Sequence, residues 1–245
     1  MSLETPPVAP PVSPVTSLND PRALQILSTE HWSLLSSRSL AYNEAFTRGG
    51  MFLSFLSMSF VALALLAQGM SFGEEFLTIS AIVLAFDFVL GLITYGRIMG
   101  ANEDDLRAIH GMARIRHGYT QIAPIVAPYF TSATHDDVAG INLSYGDPPT
   151  AGAGLVLYGL TTSGGMIGLI VSMVGGVLTG VLALIVGAAG AGAVWISVAG
   201  AVVVFGVLAL LTTGRIARRQ AQLPVLFPSP EEPTVSESAA ADRTR

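Results

Sequence analysis

One carboxylate stands inside an apolar stretch that is long enough to cross a lipid bilayer. Asp87 lies near the middle of residues 76–96, and a crossing needs about 20 apolar residues at roughly 1.5 Å each. Ionisable side chains at bilayer depth face the protein interior or water. Ser80 and Thr94 lie seven residues to either side and Gly91 one turn further on, which predicts a polar, small-residue stripe along this helix.

Two kinds of chemistry fit Asp87. As a binding or titrating carboxylate it would line an ion or proton path. As a protonated acid it would instead hydrogen-bond a Ser or Thr of a neighbouring helix and hold the bundle together. No basic residue and no second acid lies at a comparable depth, and the sequence leaves both alternatives open.

A second set of candidate residues is basic and spaced at three, four and three, which places its members on one face of a helix. It comprises Arg107, His110, Arg114 and His117. Such a stripe could bind anionic lipid headgroups, a phosphorylated ligand or acidic residues of a partner, more strongly as the histidines protonate. The ordinary alternative is a solvated face paired with Glu103 and Asp104.

Other catalytic and metal-binding patterns are weak or missing. His135, Asp136 and Asp137 could ligate a metal, but no further ligand follows at suitable spacing, so a capped loop is favoured and no metal site is predicted. The chain contains neither Cys nor Lys, which excludes thiolate and Schiff-base chemistry. Without HExxH, GxSxG or a glycine-rich phosphate loop, we expect no enzyme and no cofactor.

Small residues recur at every fourth position in the second apolar block, which creates a ridge without bulky side chains. They are Gly164, Gly168, Ser172, Gly176 and Gly180. Such a ridge lets another helix approach closely. The partner could be the first or fourth span of the same chain or another subunit.

The composition indicates a membrane protein. Of 245 residues, 51% are hydrophobic and 12% charged, and the mean hydropathy is +0.60. Apolar blocks at residues 51–96 and 151–214 each accommodate two crossings. We predict an all-α membrane protein with four transmembrane helices as two hairpins and cytoplasmic amphipathic helices. Its predicted divisions are a disordered proline-rich tail (1–20), an amphipathic helix (21–50), a first hairpin (51–96), a cytoplasmic helical region (97–150), a second hairpin (151–214) and a basic stop with a disordered acidic, proline-rich tail (215–245).

Finer features are predicted within these divisions. Trp32, Leu35, Ser39, Tyr42 and Phe46 form an apolar and aromatic stripe expected to pack against other cytoplasmic helices, and Gly49 and Gly50 would loosen the junction with the first span. Asn102 would cap a new helix. Further divisions are an irregular stretch (120–130), a loop (131–147), an interfacial lead-in or helix extension (151–165), the third and fourth spans (166–186 and 194–211) and a break between them (187–192).

Arginine positions predict the orientation. Basic residues precede the first span, lie between the second and third, and follow the fourth, whereas the two short loops on the other side carry none. By the positive-inside rule both termini and the central region are cytoplasmic. We expect a multi-pass protein of a bacterial plasma (inner) membrane. Its net charge of −5 gives no indication of a nucleic-acid partner.

A segment of the central region, MARIRHGYTQIAPIVAPYFTSATHDDVAG at residues 112–140, resembles uncharacterised bacterial four-helix membrane proteins, especially actinobacterial ones. The resemblance implies a plasma-membrane location and a shared architecture. It implies no activity and no functional residue.

Two functions are therefore expected from the sequence. The first is a homo-oligomeric, channel-like protein for small ions or solutes, with Asp87 near the path. The second is a non-conducting scaffold or sensor in the bilayer, whose cytoplasmic helices and tails recruit protein partners or anionic lipid. Self-association follows from the small size of a four-span subunit and from the glycine ridge.

Overall fold

The computed structural model describes residues 14–70, 72–149 and 152–230, and these ranges contain helices but no strand. In chain order the elements are α1 (Pro21–Met70), α2 (Glu74–Ile122), a 3-10 helix (Pro124–Tyr129), α3 (Val138–Ser144), α4 (Gly152–Thr161), α5 (Ser163–Ile185) and α6 (Gly190–Gln222). Helices α1, α2, α5 and α6 are long and apolar enough to cross a membrane. The prediction of an all-helical chain with four candidate spans is confirmed.

Helices α1 and α2 run antiparallel and stay in contact along most of their length. Ser59 meets Asp87 near one end of the pair, and Arg38 meets Asp105 further along. Eleven of the buried positions of α2 alternate at spacings of four and three, the 3.5-residue repeat of a coiled-coil seam. They are Ser80, Leu84, Asp87, Gly91, Thr94, Ile98, Ala101, Asp105, Ala108, Met112 and Ile115.

The α1–α2 pair is much longer than a bilayer is thick. At 1.5 Å per residue, the 49 residues of α2 extend about 73 Å, against about 30 Å of hydrocarbon. Two levels follow from the distribution of apolar residues. We call residues 51–70, 74–96, 163–185 and 190–214 the apolar layer, and residues 21–50, 97–149 and 215–230 the polar end.

The four long helices lie in the order α1, α2, α5, α6, each packing mainly against the next. Helix α5 is antiparallel to α2, since Gly164 lies against Met99 and Gly175 against Phe88. It is also antiparallel to α6, since Gly176 lies against Ala201 and Gly180 against Ala193. Helix α5 is therefore the most enclosed of the four, and of the 33 residues of α6 only Ala193 and Leu208 are buried.

Two predicted helix boundaries are wrong. Helix α1 continues through Gly49 and Gly50, and α2 continues through Arg97 and Asn102, so neither junction is loosened and Asn102 caps nothing. The reason is the shared seam, because the interhelical contacts of the apolar layer continue without a break into the polar end. Gly49, for example, lies in contact distance of Ile98.

The face of α1 that packs agrees with the predicted stripe at Tyr42, which interacts with Asp105 of α2, and otherwise differs from it. Trp32 and Phe46 of the predicted apolar stripe are 66% and 61% exposed. The side toward α2 instead carries Arg38, which binds Asp105, and Ala45, which is buried. The face of α1 that packs against α2 is therefore the one with a small residue and a buried ion pair, and not the one with the large apolar side chains.

The connecting segments follow the predictions in part. The irregular stretch is the 3-10 helix, but the predicted loop at 131–147 contains α3, and residues 152–161 form the separate helix α4. Thr162 then caps α5, its hydroxyl accepting the Gly165 N–H at 3.1 Å. The break between α5 and α6 lies as predicted at Gly187, whose φ of +92° suits glycine.

Candidate functional site

A short C-terminal segment, residues 224–229, lies on the surface of α2 and α3 at the polar end. Four side chains hold it, and we call them the clasp: Arg114, His117, Asp136 and Asp137. Helix α2 presents the first two on successive turns, and the aspartates immediately precede α3. The clasp thus joins the end of α6 to the centre of the chain.

Asp136 is the centre of the clasp and is fully buried. Its carboxylate accepts the backbone N–H groups of Leu226, at 3.0 and 3.1 Å, and Phe227, at 2.7 Å. It also accepts Arg114 Nε at 2.7 Å. In return the Asp136 N–H donates to the Phe227 carbonyl at 3.1 Å. These bonds satisfy successive main-chain groups of an extended segment.

Asp137 and His117 extend the same contact. Asp137 caps α3 by accepting the Gly140 N–H at 2.8 Å, and it accepts Ser229 N at 2.7 Å and Ser229 Oγ at 3.0 Å. The His117 ring stacks on the Phe227 ring at a centroid distance of 4.0 Å. The predicted capped loop at these residues is therefore present, with a docked segment that the sequence pattern did not indicate.

Hydrogen bonding keeps both carboxylates of the clasp ionised. Burial alone would raise the pKa of Asp136, but the Phe227 N–H, the Arg114 guanidinium and the Leu226 N–H together hold this pKa below its usual value. For Asp137 burial is likewise outweighed, by the N–H groups of Gly140 and Ser229 and by the Ser229 hydroxyl, so its pKa is also lowered. The docked segment therefore favours the charged form of both acids.

A second buried carboxylate ties three elements together. Asp105 is 1% exposed, binds the guanidinium of Arg38 on α1, and accepts the Tyr145 hydroxyl at 2.7 Å. Burial lowers the pKa of Arg38, but the bond to Asp105 more than offsets this and leaves the pKa raised. Burial, followed by the bond to Asp105, also raises the pKa of Tyr145. Asp105 of α2 is therefore bound both to Arg38 of α1 and to Tyr145 at the end of α3, and it connects these three elements.

The predicted basic stripe is not one open face. Arg107 is exposed and pairs with Asp104 at 3.0 Å, as the solvated alternative expects. His110 is buried, and burial, with a smaller contribution from Arg114, lowers its pKa. Arg114 and His117 are covered by the docked segment. The four residues share a helix face, but three of them face the protein itself.

The predicted polar stripe of α2 does lie together, in the seam of the apolar layer. Ser80, Asp87, Gly91 and Thr94 are all buried. Ser59 of α1 donates to Asp87 Oδ1 at 3.0 Å, the kind of bond that the packing alternative predicts. Asp87 Oδ2 and Ser80 Oγ are buried without a hydrogen-bond partner, and Thr94 bonds the carbonyl of Leu90 in its own helix.

The glycine ridge of α5 contacts two helices of the same chain. Its first part faces α2, where Gly164 lies against Met99 and Gly168 against Tyr95, and its last part faces α6. Ser172 between them is buried and bonds the Gly168 carbonyl. Of the partners left open by the sequence, span four packs on the ridge, and span two, which was not among them, packs on its first part. The ridge therefore offers no argument for self-association.

The residues that sequence reasoning missed are those of the docked segment and Asp105, which anchors α1 and Tyr145 to α2. Asp105 was not among the candidate residues, and the segment lies in what was predicted as a disordered tail. The signal was present in the seam spacing, because Asp105 falls on the same three-and-four repeat as Asp87. Within the described ranges, no cluster of three potential metal ligands is found.

Comparisons with known proteins give no relative for this chain. No family model, no curated protein and no solved structure matches it. The resemblance of residues 112–140 to bacterial four-helix membrane proteins thus stays a prediction, and function has to be argued from the residues themselves.

Proposed function

We propose that this protein is a non-conducting membrane scaffold, a four-span bilayer anchor for a helical platform that holds the chain's own C-terminal segment. The observation that carries this proposal is the clasp, in which buried Asp136 binds the main chain of Leu226 and Phe227. The remaining tail, residues 231–245, follows this held segment in the sequence. The tail contains Glu231, Glu232, Glu237 and Asp242, so it is the part offered to protein partners.

The packing around Asp87 supports anchoring over conduction. Its carboxylate is 1% exposed and bonded to Ser59. One turn further toward the polar end, the side chains of Phe52 and Val171 fill the space beside Gly91. A Cβ added to Gly91 would lie 3.0 Å from the Phe52 side chain and 2.8 Å from the Val171 side chain. A path along this seam within one subunit would have to pass these side chains.

We place the polar end in the cytoplasm of a bacterium, with the apolar layer in its plasma membrane as two hairpins, α1–α2 and α5–α6. Every arginine in the described residues lies in the polar end, and neither the turn before α2 nor the turn before α6 contains one. This asymmetry supports cytoplasmic termini by the positive-inside rule.

Single cysteines test the orientation, because the native chain has none. Val186 lies exposed in the turn between α5 and α6, and Ile125 lies exposed at the polar end. In intact spheroplasts a membrane-impermeant maleimide should label Val186→Cys and leave Ile125→Cys unlabelled until the cells are broken. The reverse pattern would place the polar end outside.

Reconstitution tests the scaffold itself. Purified protein in liposomes should leave proton, potassium and small-solute permeability at the level of protein-free vesicles. The same preparation should show slow amide hydrogen exchange at Leu226 and Phe227, whose N–H groups donate to Asp136. A permeability increase that scales with protein content would sink the scaffold proposal.

A second candidate function is permeation through an assembly of subunits, with Asp87 on the path. One observation favours it, namely that Asp87 Oδ2 and Ser80 Oγ are buried in the same seam without partners. A polar atom that is buried in the bilayer without a hydrogen-bond partner lowers the stability of the protein, and such atoms often mark functional positions. Here Asp87→Asn should abolish a flux seen in the parent, while Thr94→Val should spare it, since Thr94 already bonds Leu90.

A further inference from the structure

Arg116 is a half-buried arginine of the polar end for which the described residues supply no acidic partner; Arg215 and Arg218 also form no ion pair there, but they are exposed. Most of the arginines on α2 are paired, Arg97 with Glu44, Arg107 with Asp104 and Arg114 with Asp136. Among the described residues no carboxylate pairs with Arg116, and its hydrogen bond goes from Nη1 to the Ala133 carbonyl at 3.3 Å. The guanidinium offers five N–H donors, so most of its donor capacity is unused by the protein.

The side chains around Arg116 are also donors. The antiparallel register that sets Gly49 against Ile98 brings residue 116 opposite His31, whose Nδ1 is buried without a hydrogen-bond partner. The His31 ring lies 6.1 Å from the Tyr119 ring, and the Tyr119 hydroxyl interacts with Ser28. We call Ser28, His31, Arg116 and Tyr119 the distal niche.

The distal niche carries an excess of positive charge. Burial, and then the like charge of Arg38, lower the pKa of Arg116. Burial, and then the charge of Arg116, lower the pKa of His31. Two acids lie in the neighbourhood: Glu30, next to His31 in the chain, is exposed and forms no ion pair with Arg116 among the described residues, and Asp105 already binds Arg38 and Tyr145. A half-buried cation without a counter-ion is unfavourable, and a bound anion would relieve that cost.

We propose that the distal niche binds an oxyanion, the phosphoryl or carboxylate group of a water-soluble ligand. The Arg116 fork would engage two oxygens, as guanidinium groups do with such anions, and His31 would donate a further hydrogen bond. Arg116 lies 19 residues beyond Arg97 on a continuous helix, about 28 Å along its axis. Headgroups of the protein's own bilayer are therefore out of reach. This inference is independent of whether the protein is a scaffold or a conduit.

Equilibrium dialysis with radiolabelled inorganic phosphate tests the proposal on the full-length protein in nanodiscs of neutral lipid. The parent should bind phosphate saturably, and Arg116→Gln should weaken the affinity at least about tenfold. Arg116→Lys should restore part of it, because it keeps the charge but loses the fork. Arg107→Gln is the matched control, an exposed arginine of the same helix that already has an acid partner, and it should bind as the parent does.

The controls decide between the possible results. Circular dichroism and the elution volume establish that each variant is folded, and His31→Ala, which leaves every arginine in place, should also weaken binding. Nanodiscs containing anionic lipid should give the same phosphate affinity. The proposal would be overturned by an absence of saturable binding, by equal losses in Arg107→Gln and Arg116→Gln, or by competition from anionic lipid.

Discussion

The apolar layer and the polar end are held together by different chemistry, although the same two helices run through both. In the apolar layer the helices meet through residues without bulk, such as Gly168 against Tyr95 and Gly176 against Ser197. In the polar end they meet through buried carboxylates with several donors each, Asp105 and Asp136. The contacts between elements thus change from small-residue packing in the apolar layer to buried carboxylates with several donors in the polar end.

The difference follows from the two solvents. Lipid tails are as apolar as leucine, so burying apolar side chains between helices gains little there and close van der Waals contact has to supply the attraction. In water an ion pair is weak when exposed, but its loss is costly once one partner is buried. The comparison predicts that the polar end is most sensitive to removal of charge and the apolar layer to addition of volume.

Removing the charge of Asp105 should have the largest effect. Asp105→Ala leaves the partly buried guanidinium of Arg38 and the hydroxyl of Tyr145 without their partner, which costs about 3 kcal/mol of unfolding free energy. Thermal or denaturant unfolding of the protein in detergent measures this loss.

The adjacent acid provides the control for that experiment. Asp104 is exposed and pairs with exposed Arg107, so Asp104→Ala should change stability by less than about 1 kcal/mol. If the two alanine variants unfold alike, burial of the carboxylate is not what matters at the polar end.

Adding one methyl group tests the apolar layer. A Cβ at Gly176 would lie 2.5 Å from the Ser197 carbonyl oxygen and 2.7 Å from Ala201 Cβ, and backbone atoms cannot move aside locally. Gly176→Ala should therefore cost about 1–3 kcal/mol and loosen α5 from α6, as measured by unfolding in detergent. Gly206 of α6 has nothing within 4 Å, so Gly206→Ala should be neutral or slightly stabilising.

The clasp should respond to loss of charge by local release, with the rest of the fold intact. Asp136→Asn presents an amide in place of one carboxylate oxygen to Arg114, Leu226 and Phe227. Amide hydrogen exchange of residues 224–229 should become about tenfold faster, equivalent to about 1.4 kcal/mol of local opening. Asp147→Asn, at an exposed turn residue, should leave this exchange unchanged, and unaltered exchange in Asp136→Asn would argue against the clasp.

How far the sequence predicts this structure depends on the range of the interaction concerned. The four apolar helices, the turn at Gly187 and the inward face of Ser80, Asp87, Gly91 and Thr94 follow from hydropathy and spacing, which are local properties. The uninterrupted course of α1 and α2 does not, because Gly49, Gly50 and Asn102 are typical of helix ends. Tertiary pairing along the seam overrides that local preference.

The candidate site depended on long-range contacts and was harder to predict. Asp136 was recognised as a possible ligand or cap, but its partners Leu226 and Phe227 lie 90 and 91 residues away. A proline-rich composition predicts a tail that is free in solution. The composition of the tail cannot show that the carboxylate of Asp136, far away in the sequence, binds the tail's N–H groups. The prediction of an open basic stripe has the same weakness. The spacing of these residues shows that they share a helix face, but it does not show which other part of the chain covers that face.

The smallest predicted effect concerns pH and separates the two regions once more. Burial and Arg114 lower the pKa of His110, while Asp136 opposes this. A histidine whose pKa is lowered by folding contributes stability that is fully present at pH values above its unfolded-state pKa, near 6.5. This contribution is lost as the pH falls toward the histidine's pKa in the folded state. Unfolding free energy should therefore fall between pH 7.5 and 5.5, by at most about 1.4 kcal/mol per pH unit for one proton.

Replacing the histidine should remove that dependence without touching the apolar layer. His110→Gln should flatten the stability profile over this range, and adding His31→Gln, whose ring is shifted in the same direction, should flatten it further. The cost of Gly176→Ala should be the same at both pH values, because no titrating residue lies among the atoms that its methyl group would meet. A pH-dependent cost for that variant would mean that the two regions are coupled through the seam rather than stabilised separately.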